Sequence, residues 1–130
     1  FNGFALPGFQ NGHSHAFQYA MAGLAERHSI VEFQNDFWSW RKIMYELALH
    51  ISPDQMENIA AMLYQEMLRN GYTHVAEFHY LHHDKNGKNY DNLSEMGERI
   101  MSGAQKAGIK ITLIPIFYQN CDLKTLPQFP

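Results

Sequence analysis

The clearest pattern of apolar and polar positions lies in the middle of the chain and is typical of an amphipathic helix. Ser52 can cap the helix, Pro53 suits its first turn, and Gln55 completes an S-x-x-Q capping box. Apolar residues follow at helical spacing, at Met56, Ile59, Ala60, Leu63 and Met67. Asn70 and Gly71 are typical of a helix end. We therefore predict a helix that begins at Pro53 and ends near Asn70.

Runs of strand length lie on both sides of this helix. Residues 4–15 contain a short apolar run and then a histidine pair, which predicts a strand that leads into a loop. Residues 72–80 follow the helix directly and predict a second strand. Residues 109–118 are continuous, apolar and rich in β-branched side chains, so we expect a strand that is buried on both faces.

Two further helices are predicted between these strands. Residues 36–51 begin at an aspartate that can serve as N-cap, and we expect Trp40 among their core positions. Asn92 and Glu95 offer a capping pair for a helix that runs to about residue 107, where a glycine stops it. The polar, turn-rich residues 82–92 are expected to form a loop.

The resulting order is strand, helix pair, strand, helix, strand, which predicts an α/β fold with a parallel sheet and right-handed crossovers. This order fits an open doubly wound sheet or the opening of a (β/α)₈ barrel. The first strand-to-helix turn lacks the glycine-rich phosphate fingerprint of a dinucleotide fold. A complete barrel needs roughly 250 residues, so the 130 residues would supply about three of its eight strands, as one unit without an internal boundary.

Composition narrows the class of protein. The formal charge of -3 and the pI near 6.2 argue against a nucleic-acid partner, because binding a polyanion needs a basic surface. A single cysteine, Cys121, excludes an internal disulfide and fits a reducing compartment. Apolar stretches are shorter than the ~18 residues of a membrane helix, and no signal peptide is evident. We expect a soluble, cytoplasmic protein.

The candidate chemistry centres on His13-Ser14-His15, at the end of the first predicted strand. In an extended chain, residues i and i+2 project from the same face, so one divalent ion can meet both imidazoles. In barrel enzymes the carboxyl ends of the strands carry the active site. A catalytic zinc site usually has three protein ligands and a water, so two histidines leave it incomplete.

The other polar residues of the second predicted strand and the loop after it are interpreted as structural. His74 and His79 fall on opposite faces of the strand by parity, and a satisfied core histidine is the commoner role for such residues. Adjacent side chains in the segment 82–84, His-His-Asp, tend to diverge. Glu77, in the middle of the strand, must be paired or hydrogen-bonded if it is buried.

A resemblance to a known family runs along most of the chain. The segment LPGFQNGHSHAFQYAMAGLAE, residues 6–26, resembles the opening of formimidoylglutamate deiminases, in the amidohydrolase superfamily. The resemblance continues in FWSWRKIMY at 37–45, in GYTHVAEFHYLHHD at 71–84 and in AGIKITLIPIFY at 107–118. It fades in residues 119–130. HSHAFQ, FWSWR and VAEFHYLHHD in this order are more specific than the histidine pair alone.

The resemblance implies a zinc-dependent (β/α)₈ barrel that hydrolyses N-formimidoyl-L-glutamate to N-formyl-L-glutamate and ammonia, in histidine degradation. His13 and His15 match the first two zinc ligands of the family; Fe²⁺ and Mn²⁺ are the less favoured ions. Gln18, Arg41 and Tyr80 match positions that contact the glutamate portion of the substrate. The remaining ligands and the residues that move protons are expected beyond residue 130.

The three matched positions have suitable chemistry, although the residues alone leave other roles open. A planar guanidinium such as Arg41 binds a carboxylate through two parallel hydrogen bonds. Gln18 and Tyr80 add neutral hydrogen-bonding groups. Without the family context, Arg41 could be a solvated helix charge, Tyr80 a core aromatic and Gln18 the cap of a local turn.

Two alternative functions stay open at this point. The chain could belong to another deaminase or chlorohydrolase-like enzyme of the amidohydrolase superfamily, with a purine, a pyrimidine or another amidine as substrate. It could also be a truncated, non-catalytic fragment that associates with itself through unpaired strand edges. For the enzyme we expect a small-molecule substrate, a homo-oligomer, and no nucleic-acid or membrane partner.

Overall fold

Three parallel strands form one sheet in the order β1-β2-β3, which places β2 at the centre. The strands are β1 (Phe9–Ser14), β2 (Tyr72–His79) and β3 (Lys110–Pro115). The computed structural model describes residues 2–24 and 37–117. The predicted parallel sheet is therefore confirmed.

Helices connect the strands in the predicted order. A short 3₁₀ helix (Ala16–Met21) follows β1 directly. The helix pair before β2 consists of α1 (Phe37–Ala48) and α2 (Pro53–Arg69), and α3 (Glu95–Ala107) lies between β2 and β3. The aspartate predicted to cap α1 lies outside the described residues. None of the helices in the described ranges is long and apolar enough to cross a membrane.

The ends of α2 follow the predicted signals. The Ser52 hydroxyl accepts a hydrogen bond from the Gln55 backbone N–H at 3.3 Å, and the Gln55 side chain accepts one from the Ser52 N–H at 2.9 Å. Gly71 ends the helix with a left-handed φ of 84°. Gly108 stops α3 in the same way. These contacts confirm the capping predictions. Each prediction depends only on residues close together in the sequence, so it could be made from the sequence alone.

The strand predicted within residues 4–15 begins later than its apolar run. Phe4 and Leu6 are exposed, and β1 starts only at Phe9. The Phe9 N–H donates to the Gly71 carbonyl at 2.9 Å, and Phe9 pairs with Tyr72. Pairing with β2, and not local hydrophobicity, thus sets the start of this strand.

The predicted cap of α3 is also displaced. Ser94 occupies the N-cap position and makes no side-chain cap. The Asn92 carboxamide oxygen instead accepts a hydrogen bond from the Ser94 N–H at 3.0 Å, and its amide group donates to Glu98. Asn92 therefore stabilises the turn before α3 and does not cap the helix.

Burial of β3 differs from the prediction. Lys110 and Thr112 are exposed, whereas Ile111 and Leu113 on the other face are partly buried. The prediction of two buried faces was wrong for the described part of the chain: α3 packs against β3, and on the face of Lys110 and Thr112 only Ile114, among the residues of β3, is partly buried. Trp40, expected in the core, is 37% exposed on α1.

The core lies between the sheet and the helices α2 and α3. Its largest fully buried apolar side chains come from α2, β2, the segment after β2 and α3, and they are Tyr64, Met56, Val75, Leu81, Met96 and Ile100. The two helices approach closely at Gly103, where an added Cβ would lie 2.8 Å from the Glu57 carbonyl oxygen. Helix α2 thus links α3 to the rest of the core.

A group of charges also joins α2 to α3. Glu57 accepts hydrogen bonds from Lys106 at 2.6 Å, from Ser102 at 2.8 Å and from Arg99 at 3.1 Å. Arg99 is further paired with Asp54 at 2.8 Å. The hydrogen bonds from Lys106, Ser102 and Arg99, in that order of effect, lower the pKa of Glu57 from 4.5 to about 2.

This group predicts an acid-dependent loss of stability. The folded-state pKa of Glu57 is below its unfolded value, so the stabilisation is fully present above pH 4.5 and is lost as the pH falls towards about 2. We expect Glu57→Gln to lower the melting temperature at pH 7. The difference from the wild type should shrink as the pH falls through that window, measured by circular dichroism. A difference that stays constant down to pH 2 would contradict this role.

Candidate functional site

Two imidazoles converge at the carboxyl end of β1. His13 lies in the strand and His15 follows its last residue, Ser14. The two Nε2 atoms are 2.9 Å apart and the ring centroids 4.7 Å apart. His13 is exposed, His15 is partly buried, and the side chain of Ser14 points to the buried side. The convergence of the pair therefore follows the alternation of side chains along an extended chain.

The neighbouring strand orients both rings. The carbonyl oxygen of Phe78 lies 3.0 Å from His15 Nδ1, and a carbonyl can only accept, so His15 carries its proton on Nδ1. Its Nε2 therefore presents a lone pair towards His13. The Phe78 ring stacks on His13 at 4.1 Å with an interplanar angle of 25°, and Asn11 Oδ1 accepts from the His13 N–H at 3.1 Å.

The electrostatics favour a neutral His15. Burial lowers the pKa of His15, and the nearby His13 lowers it further, while the hydrogen bond to Phe78 works in the opposite direction. A metal ligand must be neutral imidazole, because a protonated nitrogen has no lone pair to donate. The environment of His15 therefore favours the protonation state that a metal ion requires.

The spacing of the two nitrogens also fits one metal ion. With Zn–N distances of ~2.0–2.1 Å, one ion with bond angles between about 90° and the tetrahedral value spans nitrogens roughly 2.9–3.4 Å apart. The observed 2.9 Å lies at the short end of that range. Within residues 2–24 and 37–117, no group of three His, Cys, Asp or Glu side chains could hold a metal ion. The pair is thus suited to be two ligands of a larger set.

Gln18 and Tyr80 lie against this pair. Gln18 Nε2 is 3.2 Å from Tyr80 Oη and 3.2 Å from Met44 Sδ. The Tyr80 ring packs edge-on against His15, with centroids 5.1 Å apart, and is almost fully buried. The structure therefore brings His15, Gln18 and Tyr80 together, on one side of the histidine pair.

Arg41 lies on α1, the helix that packs against the 3₁₀ helix after β1. Its Nε donates to the Tyr45 hydroxyl at 2.5 Å, and its Cζ lies 5.1 Å from the centre of that ring. Met44, on the next turn of α1, contacts Gln18. Arg41 is thus within one helical turn of the residue that joins α1 to the candidate site, and its role in substrate binding stays a prediction.

The two other histidines of β2 have different surroundings. His74 Nε2 is 2.9 Å from Thr112 Oγ1 on β3. His79 is buried, and its Nε2 has no hydrogen-bond partner in the part of the chain that the structure describes. Burial, with His82 nearby, lowers the pKa of His79 to about 3, so it is neutral. His79 is therefore a core histidine, as expected, with one ring nitrogen that lacks a partner among the described residues.

The loop after β2 has the structural role predicted for it. His82 Nε2 donates to the Ile116 carbonyl at 2.9 Å, which ties the loop to the end of β3. Asp84 accepts backbone hydrogen bonds from Asn86 and Lys88, both at 2.8 Å. These contacts tie the loop to the end of β3 and stabilise the turn within it.

Several residues of the candidate site were missed by sequence reasoning. Phe78 contributes a carbonyl and a ring, and Asn11 accepts from the backbone of His13. Glu77 Oε1 accepts a hydrogen bond from the Ala16 N–H, which confirms that this buried carboxylate is hydrogen-bonded. The alternation of side chains along β2 predicts that Phe78 and Glu77 face opposite sides of the sheet. The residues that they contact depend on the register between β1 and β2, which could not be predicted.

The chain belongs to the amidohydrolase family, whose sequence model matches residues 4–114. It is 52% identical over 119 residues to the formimidoylglutamate deiminase of Pseudomonas aeruginosa, which covers 91% of this chain and 26% of that protein. It also resembles the crystal structure of an amidohydrolase from Brucella melitensis, with a TM-score of 0.80 and 55% identity over 87% of this chain and 25% of the other. The chain therefore spans about a quarter of the length of these relatives.

These similarities confirm two predictions. The resemblance to formimidoylglutamate deiminases is confirmed by the relative from Pseudomonas aeruginosa. The fold class is confirmed as the start of a (β/α)₈ barrel, in which three parallel strands and their helices form an open, partial sheet. An open doubly wound sheet, the alternative left by the order of elements, is thereby excluded.

Proposed function

We propose that the whole protein hydrolyses N-formimidoyl-L-glutamate with water to N-formyl-L-glutamate and ammonia, as a step of histidine degradation in the cytoplasm. The observation that carries this proposal is the convergence of His13 and His15 at the end of β1, in a chain 52% identical to a formimidoylglutamate deiminase. Residues 1–130 would form the N-terminal part of the catalytic domain, without an internal boundary.

The histidine pair holds the metal ion in this proposal. His13 and His15 bind through Nε2, and the Phe78 carbonyl keeps the His15 proton on the other nitrogen. Two imidazole ligands suit zinc, which is proposed in preference to iron or manganese. When bound, the ion supplies an activated water for attack on the formimidoyl carbon. The remaining ligands and the residues that transfer protons would lie outside this chain.

The other matched residues bind the glutamate portion of the substrate. Formimidoylglutamate carries two carboxylates, and the guanidinium of Arg41 suits a bidentate contact with one of them. Gln18 and Tyr80 already contact each other beside His15, so their polar groups are oriented before a substrate arrives. This arrangement would place the formimidoyl group towards the ion and the carboxylates towards α1.

The experiment that tests the proposed function is ammonia release by the full-length protein. Purified protein is assayed with formimidoylglutamate after metal removal by a chelator and after zinc is restored. We expect turnover that depends on zinc and one ammonia for each N-formylglutamate formed. Absence of metal-dependent turnover would refute the proposal.

Arg41→Ala tests whether the guanidinium binds a carboxylate of the substrate. Loss of hydrogen bonds to a charged group costs about 1.5–3 kcal/mol, so the KM for formimidoylglutamate should rise by roughly 10–100-fold with a smaller change in kcat. Lys42→Ala removes the adjacent, exposed cation of the same helix and should leave KM unchanged. An unchanged KM in the Arg41 variant would show that this guanidinium does not bind a carboxylate of the substrate.

A further inference from the structure

Glu77 is a buried carboxylate that the proposed reaction does not use. It lies in the middle of β2 and is 1% exposed. Its Oε1 accepts a hydrogen bond from the backbone N–H of Ala16, the residue that follows His15 and begins the 3₁₀ helix. Glu77 therefore restrains the chain immediately after the second imidazole.

The alignment of β1 with β2 explains why Glu77 reaches this position. Ser14 is paired with Glu77, and both side chains point to the buried side of the sheet. The next residue, Phe78, contacts the His15 ring through its carbonyl oxygen. Consecutive residues of β2 thus hold His15 at two points: Phe78 holds its ring, and Glu77 holds the peptide that follows it.

The surroundings of Glu77 leave few other roles for it. The buried hydroxyl of Tyr64 faces the carboxylate from α2, and the hydroxyl of Ser14 faces it from β1. Burial raises the pKa of Glu77, while the Ala16 N–H and the hydroxyls of Ser14 and Tyr64 oppose that rise. Because both Glu77 and Tyr64 are enclosed by the core, Glu77 is not placed to contact a substrate.

We propose that Glu77 is a positioning residue for the metal pair, which fixes the backbone after His15 so that both imidazoles face one ion. This inference rests on the proposed metal-binding role of His13 and His15. The hydrogen bond to Ala16 prevents the 3₁₀ helix from rotating and carrying the His15 ring away from His13. This restraint depends on the position of the acceptor oxygen of Glu77, and not on the negative charge of the carboxylate.

Two conservative variants of the full-length protein separate these contributions. Glu77→Gln removes the charge but keeps an acceptor oxygen at the same distance from the backbone. Glu77→Asp keeps the charge but shortens the side chain by one methylene group, so the acceptor oxygen no longer reaches Ala16. We expect Glu77→Asp to lower zinc affinity by roughly 10–100-fold, the range for residues that orient metal ligands. Glu77→Gln should bind zinc nearly as well as the wild type. Affinity is measured by competition with a chromophoric chelator.

A matched control and a spectroscopic measurement complete the test. Glu57→Asp shortens another buried carboxylate, one held by α3 and remote from the histidine pair, and should leave zinc affinity unchanged. The absorption bands of Co²⁺-substituted protein report ligand geometry, and they should change in Glu77→Asp but not in Glu77→Gln. The inference is overturned if Glu77→Asp binds zinc like the wild type, or if Glu77→Gln loses as much affinity as Glu77→Asp.

These measurements also separate the inference from the proposed function. Zinc affinity and Co²⁺ spectra do not depend on which substrate is hydrolysed. A wild-type protein that binds zinc but releases no ammonia from formimidoylglutamate would refute the proposed reaction and leave the role of Glu77 standing. A wild-type protein that binds no zinc would overturn both.

Discussion

His15→Asn in the full-length protein is expected to abolish tight zinc binding and to lower kcat/KM by well over about 10²-fold. Residues that only orient a ligand are worth ~10–100-fold in metal affinity or activity, so loss of the ligand itself should cost more. Nε2 is the ring nitrogen of His15 that is available to bind the metal ion, because Nδ1 donates a hydrogen bond to the Phe78 carbonyl. Zinc content by mass spectrometry and steady-state kinetics of ammonia release measure the two effects.

The matched control for this variant is His50→Asn. His50 is exposed two residues after the end of α1, and its Nδ1 lies 2.6 Å from the carbonyl oxygen of Glu46 in that helix. The same substitution there should leave both zinc content and kcat/KM unchanged. A His15 variant that retains a full equivalent of zinc would show that this histidine is not a ligand.

Two identical substitutions on α3 are expected to change stability in opposite directions. Gly103→Ala places a Cβ 2.8 Å from the Glu57 carbonyl oxygen and 3.0 Å from the Ala61 backbone nitrogen, atoms that cannot move without shifting α2. Overpacking of this kind costs about 1–3 kcal/mol. Gly97→Ala meets only the flexible end of Leu113 at 3.2 Å. It should gain up to about 1 kcal/mol from the better helix propensity of alanine.

Chemical denaturation of both variants measures this difference. Both variants replace a glycine of α3 by alanine, and the Leu113 side chain near Gly97 can move, so the difference in stability between the variants reports mainly the contact of α3 with the backbone of α2 at Gly103. Equal stability of the Gly103 and Gly97 variants would contradict the close approach of the two helices at Gly103.

The helices could be predicted well because their signals are local. Ser52, Gln55 and Gly71 specify the ends of α2 through contacts within a few residues. Strand β1 could not be placed accurately, since its residues are mostly polar and its limits come from pairing with a strand some sixty positions later. The exposure of β3 likewise depends on which elements cover it.

The candidate site, like the fold, could be predicted only in part. Convergence of His13 and His15 follows from strand geometry, whereas Gln18, Arg41 and Tyr80 came from family resemblance. The structure places Gln18 and Tyr80 beside His15, and the role of Arg41 stays a prediction. The contributions of residues 77 and 78 could not be foreseen, because they depend on the register between β1 and β2.

The oxygen that holds the His15 ring belongs to the main chain of Phe78, and every amino acid carries that atom. The contact that orients His15 therefore survives a change of side chain at this position, whereas the stacking of the Phe78 ring on His13 does not. An inserted or deleted residue in β2 would have the opposite effect, because it would move the oxygen out of reach while leaving the composition of the strand almost intact. The orientation of the His15 ring should therefore tolerate replacement of residue 78 and be sensitive to changes in the length of β2.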